Sequence, residues 1–464
     1  MTKTNLLLYS FLLLMLTAVF VSCDDEQESN KTGTKRIGYL VFNFFAEDDG
    51  DKSKKYVKEL NEAFGQFKRK NVSELILDLR YNSGGALSMA TYLASMISNR
   101  KTDDVFQQYR FNDNITKTGQ YDNKSYFVNK IDGGNIAINK LGLNRLYVLT
   151  SKRTASASEA VINGLKPYMD VILIGDTTVG KNVGSISITA ENEINNSWGM
   201  QPIVLELSNK DSFSNYSNGF IPDIYFNEFD YMLAPLGDIE HDPLLFFALN
   251  DIGVTKMTSV HSSARSSDNV SIETSYLPDN YYSRGNAYVE MNLKTAGNNY
   301  ENINEWIINQ LDYFYLWNDK LHKDIDKSLS PDLFFHESLY EGDRFSFIVD
   351  DYNKLQDMLV GVNYDAGYDY QLLYYNQILC GTITYVLPNS PAEQAGLKRG
   401  DIFIKINDNT LTFDNYQYLT DAISHPHTLG IIVDLQTLIT KTVSISTATL
   451  KKNPILLDTI YYFK

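Results

Sequence analysis

Leu75-Ile76-Leu77-Asp78-Leu79-Arg80-Tyr81-Asn82-Ser83-Gly84-Gly85 is the stretch on which the fold turns. Its short apolar run reads as a strand buried on both faces, and its polar, glycine-ended tail reads as the loop leaving that strand. A helix is expected from about 86 to 98. Upstream, residues 37–45 form another apolar, aromatic and β-branched run, a second buried strand. Between the two, over 53–69, Tyr56, Leu60, Ala63, Phe64 and Phe67 share one helical face. Downstream, the pattern predicts strands over Leu146–Leu149 and Val171–Ile174 and a helix over Ala155–Tyr168. Further β-like segments lie near 184–190 and 200–207, and a helical stretch near 242–250. Alternating β and α elements of this kind define an α/β domain over 37–250.

Beyond it, residues 251–298 are rich in Ser, Asn, Thr and Asp and read as a linker or irregular extension. A small helical block follows at 299–345, with Ile303, Trp306, Ile307, Leu311 and Phe314 at helical spacing. Residues 346–450 read as a mainly β domain with one clear helix start, Ser390-Pro391, a good N-cap followed by proline at the first helical position. Residues 451–464 end the chain on a β-like run. At the other end, Lys3, the apolar run Leu6–Val21 and Ser22-Cys23 make a secretory signal over 1–22. It resembles a bacterial lipoprotein signal, which implies that Cys23 is acylated and that 23–36 is a tether. Asp24-Asp25-Glu26 resembles the acidic export tag of surface lipoproteins. The expected location is therefore the bacterial cell envelope, lipid-anchored at the outer membrane and facing either the periplasm or the exterior.

The chain has 464 residues, a net charge of −16 and two cysteines. No basic cluster is available to meet phosphate, which argues against a nucleic-acid partner. With Cys23 committed to lipid, Cys380 stands alone in an apolar stretch and reads as a small buried hydrophobe. The six histidines are dispersed apart from His425 and His427, so no zinc site is visible. Gly175–Lys181 is close to a P-loop, but Asn182 stands where the magnesium-binding hydroxyl is needed and the following residues look β-like.

Three segments carry chemistry: Asp78–Gly85, Thr154–Glu159 and Gly180-Lys181. The second and third lie at strand ends, and junctions of this kind line up at one edge of an open α/β sheet. Ser156 opens a helix, where free N–H groups and the helix dipole favour a developing oxyanion. Paired glycines let backbone amides approach a ligand. Lys181 can act as a base only when neutral, which burial promotes. No histidine occurs between residues 37 and 240, so a Ser-His-Asp triad within this domain is impossible and lysine is the natural base.

These stretches, with Val171–Asn182 and Gly219–Ile224, resemble the carboxy-terminal processing (tail-specific) proteases, which use a Ser-Lys dyad. The resemblance covers roughly 37–250 and, separately, 299–464. It implies a ClpP/crotonase-like layered catalytic fold, Ser156 as nucleophile and Lys181 as general base, with no metal or organic cofactor. It further implies an oxyanion hole from the Gly84, Gly85 and Ala157 amides, with Asp78, Arg80 and Glu159 as supporting residues. Where the family often has a lysine-positioning glutamine, this chain has Ser185. Val386–Phe403 resembles the family's PDZ signature, which implies capture of a polypeptide substrate, and the Asp343-Arg344-Phe345-Ser346-Phe347 run resembles the family's N-terminal part. In that family these parts precede the catalytic domain; here they follow it. The order reads as a circular permutation, which requires residues 455–462 to lie beside 37–43. A catalytically inactive, peptide-binding surface lipoprotein is the alternative reading.

Overall fold

The computed structural model describes residues 34–131, 134–191, 196–254, 300–375 and 378–463. The signal segment, Cys23, most of the tether and most of the 251–298 linker lie outside the described residues.

The N-terminal half runs β1 (Lys35–Phe42), α1 (Lys55–Arg69), β2 (Glu74–Asp78), α2 (Leu87–Ile97), β3 (Val105–Phe111), β4 (Arg145–Thr150), α3 (Ala157–Leu165) and β5 (Asp170–Gly175). It continues through β6 (Val183–Ser185), β7 (Gly199–Gln201), β8 (Ile203–Ser208), the two-residue strand β9 (Ile224–Tyr225) and α4 (Pro243–Ile252). The helical block supplies α5 (Glu301–Phe314), α6 (Pro331–Ser338) and a strand, β10 (Phe347–Val349). The C-terminal β domain follows: β11 (Tyr368–Tyr375), β12 (Ile378–Val386), β13 (Ile402–Ile406), β14 (His427–Asp434) and β15 (Ile439–Ile445), and then β16 (Ile455–Phe463).

The central sheet has the order β9-β5-β4-β2-β1-β16. Its first five strands are mutually parallel, and β16 closes the edge antiparallel to β1, from Lys35↔Phe463 to Phe42↔Ile455. Successive side chains point to opposite faces. Leu40, Phe42, Leu75, Leu77, Val148 and Leu173 pack on one face with Val57, Leu60, Phe64, Met89, Leu93 and Val161 from the helices. Ile37, Tyr39, Val41, Ile76, Leu149 and Ile174 pack on the other, under Leu244, Leu245, Ala248 and Leu249 of α4. Burial on both faces is why these strands read as unbroken apolar runs.

The helical block is not free-standing. β10 pairs with β7, Ile348 opposite Met200. Ile307, Leu311, Tyr315, Phe334 and Phe335 share one core with Val183, Met200 and Ile203. The C-terminal domain has its own core around Phe403, Ile406, Leu429 and Ile383 in a sheet ordered β11-β12-β13-β14-β15, with β11 at the edge. It meets the first half through a second cluster in which Tyr81, Phe229 and Leu233 touch Leu373, Cys380, Tyr385 and Ile402. Cys380 is buried and forms no disulfide among the described residues. Among the described residues no helix is long and apolar enough to cross a membrane.

Candidate active site

β2, β4 and β5 are adjacent and parallel, so the loops that leave them meet at one edge of the sheet. Asn82 stitches the first two. Its carbonyl accepts from Ala155 N at 3.1 Å and from Ser158 Oγ at 3.0 Å, and its Nδ2 donates to Phe42 O at 2.7 Å. Thr154 Oγ1 donates to Leu79 O at 2.8 Å, and Val179 N donates to Thr154 O at 3.0 Å. The three chemistry-bearing segments are thereby drawn together.

Ser156 sits at the N-cap of α3 with φ 55° and ψ −114°, a conformation that non-glycine residues seldom adopt. Such a conformation costs about 1–3 kcal/mol and persists only where the surroundings enforce it. Glu159 does much of the enforcing. Its carboxylate is fully buried and accepts four hydrogen bonds. Oε2 takes Ser156 N at 2.9 Å and Lys181 N at 2.8 Å; Oε1 takes Thr178 Oγ1 at 2.5 Å and Gly180 N at 2.7 Å. One oxygen thus holds the backbones of both expected dyad residues, whose nitrogens lie within about 5.7 Å of each other. Burial pushes the Glu159 carboxyl up, and the four hydrogen bonds oppose that shift.

Lys181 is partly accessible, yet dense surroundings push its amine down to about 8; Asp343 and Glu159 pull weakly in the other direction. Among the described residues its Nζ has no hydrogen-bond or ion-pair partner, Ser156 Oγ included. It lies over the ring of Phe345 at 5.2 Å. Ser185 pairs opposite Ile203 in β6 and β8, and its hydroxyl makes no hydrogen bond to Lys181 or to any other described residue.

The three expected oxyanion donors separate. Gly84 N is already committed to Asn82 Oδ1 at 2.8 Å. The Gly85 and Ala157 amides have no acceptor among the described residues, and Ala157 opens α3 where no intrahelical acceptor exists. Gly84 contributes shape instead. A Cβ there would lie 2.7 Å from Ser156 Cβ and 3.0 Å from Ala157 N, and its φ is +109°. Gly85, with φ +135°, would collide with Phe45 O at 2.3 Å.

Asp78 and Arg80 stand behind the site. Arg80 is 1% exposed and binds Asp78, Glu228 at 2.9 Å and Asp242 at 2.8 Å. Burial disfavours its charge, but Asp242, Asp78 and Glu228 outweigh that and push the guanidinium's pKa up. Arg399 of the C-terminal domain joins this cluster through Glu228 at 2.8 Å and Tyr81 Oη at 2.5 Å. Three residues before Ser156, Arg153 makes a buried ion pair with Asp369 at 2.9 Å and bonds Tyr370 O at 2.6 Å. Sequence reasoning missed Thr178, Asp343, Phe345, Arg153 and Arg399. Only the 343–347 run had been singled out, and nothing local linked it to Lys181.

A serine in a strained turn, two unengaged amides beside it and a desolvated lysine on the neighbouring turn thus lie together at one edge of the sheet. Residues 36–226 match the model of peptidase family S41, 302–347 that of the S41 N-terminal domain and 382–431 that of a PDZ domain. The chain thus carries the domains of peptidase family S41. No curated protein matches it. Among solved structures, an S41 protease from Bacteroides fragilis is 31% identical over 48% of this chain and 55% of its own, with a TM-score of 0.42. A photosystem II D1 C-terminal processing protease is 20% identical over 41% of this chain and 42% of its own, TM-score 0.30. A lipoprotein from Streptococcus agalactiae is 20% identical over 41% and 62%, TM-score 0.30. The chain therefore spans about half the length of the first solved structures it matches.

Proposed function

We propose that the protein is a serine endopeptidase that cuts exposed or C-terminal unstructured polypeptide segments with a Ser156/Lys181 dyad. The observation that carries this reading is the shared Glu159 Oε2, which ties the Ser156 and Lys181 backbones to one atom. Neutral Lys181 takes the proton as Ser156 Oγ attacks the scissile carbonyl. The Ala157 and Gly85 amides receive the oxyanion, aided by the positive end of α3. As the intermediate collapses, the Lys181 ammonium returns the proton to the leaving amine. Water, deprotonated by Lys181, then attacks the acyl carbonyl; as the bond to Ser156 Oγ breaks, the Lys181 ammonium returns the proton to Oγ and the acid product leaves. The layered ClpP/crotonase-type order of the catalytic half belongs to the same reading.

The PDZ domain would add the substrate as a strand at the β11 edge of its sheet, within the tyrosine-rich 364–376 segment and clear of Tyr370, whose N–H and C=O are taken by Asp369 and Arg153. Acylation of Cys23 would hold the enzyme at the outer membrane; palmitate labelling lost in Cys23→Ala tests this. The domain order we read as permuted. The β1–β16 pairing supports this, because Lys35 and Phe463 are register partners where a short turn could join them. A rearranged chain starting near residue 300, with 463 joined to 35, should then fold and cleave.

The dyad is tested by cleavage of an unstructured polypeptide. Ser156→Ala and Lys181→Ala should each abolish turnover without unfolding the protein. Undiminished cleavage by either variant would remove the mechanism.

A further inference from the structure

Four consecutive residues of the helical block close over the turn that carries Lys181. Arg344 donates from Nη1 to Ser217 O at 3.0 Å and from Nη2 to Val179 O at 3.2 Å, two residues before the lysine. Phe345 presents its ring to Lys181 Nζ at 5.2 Å. The run is braced from behind. Asp343 Oδ1 accepts from Phe345 N at 2.8 Å and Ser346 N at 3.0 Å, while Oδ2 accepts from Tyr315 Oη at 2.8 Å. Ser346 Oγ accepts from Ile203 N at 2.8 Å, and Ile203 is the register partner of Ser185.

We propose that the Asp343-Arg344-Phe345-Ser346 run is the positioning element of Lys181, acting from the helical block where the side chain at 185 makes no hydrogen bond to the amine. The inference rests on the Ser156/Lys181 reading. A lysine is a point charge on a flexible stem and needs a wall to be held in one place. Phe345 supplies that wall, an aromatic face that also keeps water from the amine. Arg344 fixes the turn beneath it. Glu159 and Asp343 face Lys181 with negative charge and favour its protonated form. Arg344 brings its own positive charge to the same Phe345 ring, with Cζ at 4.8 Å. Farther along the adjoining cavity of about 350 Å³, Arg110 and Glu206 pair with each other at 2.7 Å. Phe345 acts on the reaction through Lys181, over whose amine its ring lies.

The test is the rate at which a fluorophosphonate labels Ser156 in the full chain, followed against pH. The unsubstituted protein should reach half its maximal rate near pH 8. Phe345→Ala admits water to the amine, so the midpoint should rise by about one pH unit, with labelling about tenfold slower at pH 7. Phe345→Leu keeps an apolar wall and should restore most of both. Arg344→Ala, a change at an exposed side chain, should slow labelling at least about threefold. A folded Phe345→Ala with an unmoved midpoint overturns the proposal. If that variant does not fold, an Arg344→Ala rate equal to that of the unsubstituted protein overturns it. Labelling of Lys181→Ala at the unsubstituted rate would instead overturn the dyad, a distinct result.

Discussion

Glu159→Gln removes a charge and almost no volume, which makes it a sharp probe of the site. Each carboxylate oxygen accepts two hydrogen bonds, three of the four from backbone N–H groups. A glutamine amide has one oxygen and one NH₂, so half of these donors must face another donor. With its NH₂ toward Thr178, the hydroxyl can turn and accept, but Gly180 N–H is orphaned. With its NH₂ toward the other side, Ser156 N–H and Lys181 N–H are both orphaned. Each unsatisfied buried donor costs about 1–3 kcal/mol, and the surviving bonds lose their ionic component, so destabilisation of about 2–5 kcal/mol is expected. The two turns also lose their common anchor. A misplacement of about 1 Å can cost roughly a hundredfold in rate, and a drop of that order in kcat/KM is expected. Urea denaturation of the full chain and peptide-cleavage kinetics measure the two effects. A stability loss below about 1 kcal/mol together with near-normal kcat/KM would refute the anchoring role.

Gly84→Ala should leave the fold in place yet cut Ser156 labelling by at least about a hundredfold, because its Cβ would press on Ser156 and Ala157; unchanged labelling counts against the packing argument. Arg153→Ala strands the Asp369 carboxylate in a buried interface and should cost about 3–5 kcal/mol in denaturant unfolding, whereas Arg153→Met with Asp369→Leu should recover much of that loss. Equal losses in the single and double variants would contradict this. Cleavage should depend on the neutral form of Lys181: activity is lost as pH falls below about 8, where the amine takes up a proton, and rises as pH passes upward through that value. A kcat/KM profile flat from pH 6 to 9 would contradict the assignment.

The parallel strands were legible because burial on both faces leaves an apolar run that few other structures produce. Ser156, Lys181, Glu159 and the two glycines were singled out by their combination and by the family resemblance, no one segment being distinctive alone, and the structure gathers those segments at one edge of the sheet. β3 was not legible, since Gln107, Gln108 and Arg110 break its apolar pattern even though Gln107 is buried. The commitment of Gly84 N to Asn82 could not be foreseen, because an Asx turn and an open oxyanion loop share the same residue types. The remaining features are long-range. Arg399 reaches Glu228 across 171 residues and Arg344 reaches Val179 across 165, distances over which local periodicity carries no information. The β1–β16 pairing was expected only because the domain order suggested it.

The account stands most directly on which atom becomes the nucleophile. Mass-spectrometric mapping of the fluorophosphonate adduct on the full chain answers that. The account expects a single modified residue, Ser156, with the adduct lost when Lys181 is replaced by alanine. An adduct on any other serine, or an undiminished Ser156 adduct without Lys181, would contradict it.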